Sequence, residues 1–188
     1  MNAPIAAPSA WVARFVTCIP AGRVLDLACG TGRHARLLAA AGFAVLAVDR
    51  DQAALDALDG HRIETLCVDL EAADAVLGTW LRPQAFAGIV VTNYLHRPLL
   101  PLLFDSLIEG GVLIYETFAA GNALFGKPSN PDFLLQPAEL LQATAAAPCH
   151  MHVLAFEDGR VSQPKPAMLQ RLCAIRGALT PSSGGGHL

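Results

Sequence analysis

Val24-Leu25-Asp26-Leu27-Ala28-Cys29-Gly30-Thr31-Gly32-Arg33-His34-Ala35 sets an apolar strand, an acid and two closely spaced glycines ahead of a helical stretch. Glycine is needed where the backbone turns sharply and must approach a ligand more closely than a Cβ permits, and Gly30 and Gly32 follow Asp26 just where the strand should end. This is the pattern of a nucleotide-cofactor loop. Two further acids stand at strand ends: Asp49 closes Ala44-Val45-Leu46-Ala47-Val48-Asp49, and Asp69 closes Leu66-Cys67-Val68-Asp69. The order glycine loop, acid, acid carries most of the functional information in the chain.

Around this stretch the chain alternates. Runs rich in β-branched residues and leucine predict strands near 23–28, 44–49, 63–68 and 86–92, with helices near 33–41, 51–58 and 98–108 between them, which is the signature of an α/β parallel sheet. Gly110-Gly111 introduces a fifth strand over 112–116, and a helix is expected to begin at Pro137, where a missing N–H is harmless. A short lead-in helix over 8–16 carries Trp11, Val12, Phe15 and Val16 at helical spacing. Residues 150–157 and 167–175 both read as strands, and the ten residues from Glu157 to Pro166 leave no room for a crossover helix, so this last pair should be antiparallel. Ser182 to His187 is expected to be a disordered end.

Composition narrows the function. At 188 residues and 53% hydrophobic, the chain suits one well-filled core and is too short for a cofactor domain plus a separate substrate domain. With 15% charged residues, a net charge of −3 and only Lys127 and Lys165 as lysines, it has no broad basic surface to track a phosphate backbone. A small-molecule partner is favoured over nucleic acid. The start lacks a secretory pattern and no apolar run is long enough to span a bilayer, so a cytosolic location is expected. The five cysteines include no Cys-x-x-Cys pair and read as reduced thiols. Cys149-His150-Met151-His152 offers at most two histidines on one strand face, and no metal site is expected.

Gly30-Thr31-Gly32-Arg33-His34-Ala35 also satisfies Gly-x-Gly-x-x-Ala, the fingerprint of NAD(P) enzymes, and Asp49 lies at about the right distance to meet a ribose. Arg50 beside it could hold a 2′-phosphate. Against that reading, Asp26 places a carboxylate four residues before Gly30, which suits an ammonium group or a water-bridged cation better than two phosphates. Asp69 stands where an adenine amino group could donate a hydrogen bond.

From about Trp11 to Arg176 the sequence resembles class I S-adenosylmethionine-dependent methyltransferases. Asp26-Leu27-Ala28-Cys29-Gly30-Thr31-Gly32 is similar to that family's first motif, Val48-Asp49-Arg50 to the ribose-binding second, Val68-Asp69-Leu70 to the adenine-binding third, and Val91-Thr92-Asn93-Tyr94 to the fourth. The resemblance implies a Rossmann-like, doubly wound seven-stranded sheet in the order 3-2-1-4-5-7-6, its last hairpin strand antiparallel, forming a single domain over 1–180 with a tail at 181–188. It also implies S-adenosyl-L-methionine as cofactor. Gly30 and Gly32, with Ala28 in the same loop, would lie beneath the methionine part and Asp26 would organise the loop. Asp49 would accept from both ribose hydroxyls, Asp69 and the Leu70 backbone would read adenine, and Asn93 and Tyr94 would sit near the sulfonium. Trp11 either folds over the cofactor or is simple core.

A sulfonium methyl is already activated, so proximity and orientation can supply roughly 7–11 kcal/mol without a dedicated residue. The face of Tyr94 could stabilise the sulfonium charge. Asn93-Tyr94-Leu95-His96-Arg97-Pro98 ends the fourth strand at the carboxyl edge, where open α/β sheets bind ligands, which makes His96 the candidate general base with Arg97 beside it. The alternatives are a helix cap for His96 and a structural or solvated pair for Arg97. His34, on the first helix, is explained by packing and loop support. Residues 119–136 form a long connection mixing Phe125 and Phe133 with Lys127, Asn130 and Asp132, expected to act as a lid or substrate wall. The stretch from Phe118 to Leu135 resembles a bacterial subgroup near the tellurite-resistance and thiopurine-type methyltransferases, which implies a small-molecule or soft chalcogen acceptor. No Asn-Pro-Pro-Tyr motif is present, which counts against a flipped base as substrate. Two other classes stay open: a non-catalytic cofactor-binding or regulatory module, and an NAD(P)-dependent oxidoreductase. Oligomeric state is not legible.

Overall fold

A computed structural model describes residues 6–58, 60–72 and 77–178. Seven strands form one sheet: β1 (Arg23–Leu27), β2 (Ala44–Asp49), β3 (Ile63–Cys67), β4 (Phe86–Thr92), β5 (Leu107–Phe118), β6 (Met151–Val161) and β7 (Ala167–Arg176). Their spatial order is β3-β2-β1-β4-β5-β7-β6. Strands β1 to β5 pair in parallel, and β7 runs antiparallel to both β5 and β6. The expected order and the antiparallel closing pair are both present.

Side-chain alternation along each strand sends two apolar sets to opposite faces. Leu25, Leu27, Val48, Ile89, Val91, Tyr115 and Leu172 pack on one face with Leu100, Leu103 and Phe104 of α4 (Leu100–Ser106) and Leu140 of α5 (Glu139–Ala145). Val24, Val45, Ala47, Val90, Ile114 and Cys173 pack on the other. That second face is covered by α1 (Ala10–Phe15), α2 (Arg33–Ala40) and α3 (Gln52–Asp56). Ser9 starts α1 by accepting the Trp11 N–H, and Asp51 starts α3 by accepting the Ala54 N–H, both at 3.1 Å. Trp11 is core: buried, edge-on to Phe15, with its indole N–H donating to the Leu172 carbonyl at 3.3 Å.

Three boundaries differ from the sequence expectation. Helix α5 begins at Glu139 rather than Pro137, because Ala138 takes a left-handed conformation (φ +57°) that a helix cannot include. Helix α4 ends at Ser106, and Leu107 already pairs with Phe86, so β5 begins before the Gly110-Gly111 irregularity. The polar stretch Glu157 to Val161, read as part of the connection, is strand: it pairs from Glu157 opposite Arg171 to Val161 opposite Ala167. Unmet backbone groups on β7 recruit it despite its composition. The tail at 181–188 lies outside the described residues.

Candidate functional site

The carboxyl ends of β1, β2, β3 and β4 converge on one cleft of about 360 Å³, completed by the end of β5 and the loop after it. The glycine loop is shaped by backbone need. Gly30 (φ +53°) and Gly32 (φ +73°) are both left-handed; a Cβ on Gly30 would point into open space, while one on Gly32 would land 2.3 Å from a methyl of Leu58. Ala28 and Asn93 adopt φ of +53° and +56° without being glycine, at the ends of the two central strands. Such strain collects where a chain serves a ligand.

Asp49 organises this loop. Its Oδ2 accepts the Gly30 N–H at 2.7 Å and its Oδ1 the Asp51 N–H at 3.0 Å, which leaves further lone pairs on both oxygens facing the cleft. Asp26, expected to organise the loop, is 1% exposed, and neither carboxylate oxygen has a partner within hydrogen-bond distance and angle. Burial pushes this carboxyl up to about 7, with the backbone at Ala35 and the charge of Arg33 opposing and Asp49 adding to the rise. Asp69 is exposed, accepts the Glu71 N–H at 3.0 Å, and faces the Arg50 guanidinium at 4.0 Å. With Asp49 and Glu71 it makes this end of the cleft acidic, Arg50 being the cation among the lining residues. Leu70 and Val68 supply its apolar floor.

Beyond the glycine loop the cleft changes character. Asn93, Tyr94, Leu95, Thr117, Phe118, Pro128 and Phe133 line it. The Tyr94 hydroxyl is buried without a hydrogen-bond partner, and burial together with the nearby Glu71 carboxylate pushes the phenol up. Underneath, the Tyr115 hydroxyl donates to the Tyr94 carbonyl at 2.9 Å and fixes the turn. His96 is half-buried and its carbonyl accepts from Leu99, but it does not line the cleft. Arg97 is engaged elsewhere: Nε and Nη2 form a two-point pair with Glu139 (2.6 and 3.0 Å), while Nη1 and Nη2 donate to the carbonyls of Asp132 and Leu134. Its guanidinium clamps the long loop to α5. Burial alone would raise Glu139, but the Arg97 pair and the Gln136 N–H outweigh it and hold the carboxyl below its ordinary value.

The long loop is anchored at its base. Ala120 donates to Leu135 and Leu135 to Phe118 across a short parallel bridge, and buried Asn122 donates to the Pro128 carbonyl and accepts the Met168 N–H. Its tip is exposed at Leu124 and Phe125, the latter under the Arg160 guanidinium. On the far side of the sheet, His34 is buried between Ser9, whose N–H donates to Nε2 at 3.1 Å, and the Thr92 hydroxyl, 3.2 Å from Nδ1. Accepting at Nε2 requires the neutral Nδ1–H tautomer. Burial, helped by the Arg33 charge, lowers this imidazole to about 4. Among the described residues no three His, Cys, Asp or Glu side chains gather as a metal site. No described helix is long and apolar enough to cross a membrane.

Residues 24–108 match the family described as a methyltransferase domain. The chain has the class I S-adenosylmethionine-dependent methyltransferase fold, and the matched segment is similar to a methyltransferase domain. S-adenosyl-L-methionine is the cofactor this family implies. The chain is also similar to a protein-L-isoaspartate O-methyltransferase of Chlorobaculum tepidum, 35% identical over 102 residues. That alignment takes in 53% of this chain, which spans 46% of the relative's length. Among solved structures, TehB from Haemophilus influenzae superposes with a TM-score of 0.68 at 17% identity, over 88% of this chain and 61% of TehB. An S-adenosylmethionine-dependent methyltransferase from Mesorhizobium loti gives 0.67 at 15% identity, over 89% and 99%. Identities this low speak to the methyltransferase fold alone.

Sequence reasoning placed Asp26, Ala28, Gly30, Gly32, Asp49, Arg50, Asp69, Leu70, Asn93 and Tyr94 at the cofactor; Ala28, Asp49, Arg50, Asp69, Leu70, Asn93 and Tyr94 line the cleft, and Asp26, Gly30 and Gly32 do not. It did not single out Glu71, Thr117 or Phe118. Glu71 had a signal, since it stands two residues past the acid that closes β3. Thr117 and Phe118 become visible only once β5 is known to lie beside β4.

Proposed function

We propose that this chain binds S-adenosyl-L-methionine and transfers its methyl group to a small-molecule acceptor, acting as one domain over 1–180. The observation that carries the reading is Asp49, whose carboxylate ties down the glycine loop and still offers lone pairs to the acidic end of the cleft. When bound, the cofactor supplies a methyl group on a positively charged sulfur, electrophilic enough to pass to an acceptor's lone pair.

The residues fit that group. Asp49 accepts ribose hydroxyls, Asp69 and the Leu70 backbone read adenine, and Arg50 screens the carboxylates around them. Ala28 on the cleft wall and Gly30, where a Cβ would meet only open space, leave room for backbone to approach the amino-acid part, while Gly32 makes room for Leu58 and lets the loop turn into α2. Buried Asp26 lies off the cleft wall and is given no contact with the cofactor. Asn93 and Tyr94 stand at the junction between the acidic and apolar ends, where the face of Tyr94 favours a cation. The apolar walls exclude water from the reacting end. Catalysis then rests on orientation, and no proton transfer is assigned to His96, which lies off the cleft wall. Arg97 positions the loop and is given no contact with reactants.

A dinucleotide fits less well. Three carboxylates against one guanidinium repel a pyrophosphate, and the Gly30 N–H such a ligand would need is taken by Asp49. The complete loop and both strand-end acids favour an enzyme over a non-catalytic module. Charge balance favours a small molecule over nucleic acid, and a cytosolic setting accords with five free thiols. The test is calorimetric titration with S-adenosylmethionine, S-adenosylhomocysteine, NADH and NADPH. Saturable binding of the two adenosyl sulfur ligands alone is expected; binding of a nicotinamide ligand alone overturns the reading, and silence from all four points to a module without this cofactor.

A further inference from the structure

The two ends of the cleft differ in charge. Asp49, Arg50, Asp69 and Glu71 line the end above β2 and β3, whereas no charged side chain lines the end above β4 and β5. There the wall is Tyr94, Leu95, Thr117, Phe118, Pro128 and Phe133. Phe133 is the outermost of these, with 48% of its surface exposed on the rim. A large ring left in water at the mouth of a cleft needs a reason.

The reason lies in how its backbone is held. Arg97 donates to the carbonyl before Phe133 and to the carbonyl after it: Nη1 to Asp132 at 2.7 Å and Nη2 to Leu134 at 3.0 Å. The same guanidinium is anchored by its two-point pair with Glu139. The Phe133 and Leu134 amides are themselves bonded to the Asn130 and Pro131 carbonyls. Arg97 therefore fixes the peptide unit before Phe133 and the one after Leu134 from the turn that follows β4, the same turn that carries Tyr94 and Leu95, while the Leu134 N–H to Pro131 holds the unit between them.

Resting on the cofactor reading above, we propose that the acceptor is an uncharged molecule with an apolar or aromatic face, that Phe133 is its specificity residue, and that Arg97 is the positioning residue that presents Phe133. An anionic acceptor entering this end would shed its hydration and meet no cation, because Arg97 is not on the wall, its charge is paired with Glu139 and four of its five N–H groups are engaged. An apolar ring gains buried area and a stacking partner on Phe133 and Phe118.

The test uses the full chain at pH 7 and a matched pair of probes on one ring system, neutral 2-naphthol and anionic 2-naphthoate. Protein saturated with S-adenosylhomocysteine should bind 2-naphthol at least tenfold more tightly than 2-naphthoate. Phe133→Ala and Arg97→Met should each weaken 2-naphthol tenfold or more while changing S-adenosylhomocysteine affinity less than twofold, and Arg97→Lys should recover part of the loss. In ligand-free protein, Arg97→Met should speed amide exchange at Phe133 and Leu134 at least tenfold, and unchanged exchange removes the positioning role. Phe133→Ala, at an exposed side chain, keeps the test valid should Arg97→Met fail to fold. Equal binding of the two probes, no binding of 2-naphthol, or parental affinity in Phe133→Ala overturns the inference. Absence of S-adenosylhomocysteine binding by the parent removes the cofactor reading and this inference with it; its binding without 2-naphthol removes this inference alone.

Discussion

The Gly30 N–H donates to Asp49 Oδ2 at 2.7 Å, joining the turn after β1 to the end of β2 through one hydrogen bond. A single carboxylate thus shapes the glycine loop and lines the cleft, so the two tasks cannot be mutated independently. Asp49→Ala is expected to weaken S-adenosylhomocysteine binding by on the order of 2–3 kcal/mol, because the Gly30 and Asp51 amides lose their acceptor together with the ligand's. Asp49→Asn keeps one acceptor oxygen but turns an amide donor toward one of those N–H groups, and it should fall between. Titration calorimetry of both variants reads this directly. Parental affinity in Asp49→Ala would remove the ribose role.

The Arg97–Glu139 pair should be measurable on its own. Glu139 is half-buried beside the more exposed Arg97, and the contact is a two-point guanidinium–carboxylate pair rather than a lone surface contact. A double-mutant cycle of Arg97→Met and Glu139→Gln, followed by urea unfolding, should give a coupling of about 1–2 kcal/mol, above that of ordinary exposed pairs. A coupling near zero would mean that the two backbone carbonyls alone hold Arg97.

The fold was readable because β-branched and leucine-rich runs, several of them ending at an acid or a glycine, recur with helices between them, and because the last two strands stand too close for a crossover. What escaped depended on neighbours distant in sequence. The polar residues 157–161 become strand only because β7 offers partners there. Asp26 reads as a loop organiser from its position, yet its alternation with Leu25 and Leu27 puts it on the α1–α2 face, away from the cleft wall. Arg97 reads as a catalytic-edge residue until Asp132 and Leu134, more than thirty positions later, are seen to hold its donors. Asp49 and Asp69 were legible because a strand end fixes where an acid must point.

Trp11 separates packing from binding. It is buried against Phe15 and bonded to the Leu172 carbonyl, with no place in the cleft wall. Trp11→Phe should destabilise the protein by about 1–2 kcal/mol through lost area and the lost hydrogen bond, and leave S-adenosylhomocysteine affinity unchanged. Thermal melting and titration on the same sample read both, and a drop in affinity without a drop in stability would return Trp11 to the cofactor.

Asp26 and His34 should pull stability in opposite directions over overlapping pH ranges. Asp26 has a folded value of about 7 against an ordinary 3.8, so the folded state holds its proton longer, and stability falls as pH rises from about 4 to 7. His34 has a folded value of about 4 against 6.5, so its contribution is intact above 6.5 and is lost as pH falls toward 4. Each shift corresponds to on the order of 3–4 kcal/mol, and between pH 4 and 6.5 the two slopes largely offset in the parent protein. Asp26→Asn removes the first slope: its stability relative to the parent should climb from pH 4 to 7 and level off above. His34→Gln removes the second, and its deficit relative to the parent should shrink as pH falls from 6.5 to 4. Urea unfolding at half-unit pH intervals distinguishes these shapes. A flat difference curve for Asp26→Asn would mean that the buried carboxyl finds a partner that holds its charge, and a flat curve for His34→Gln would mean that the imidazole titrates alike in both states.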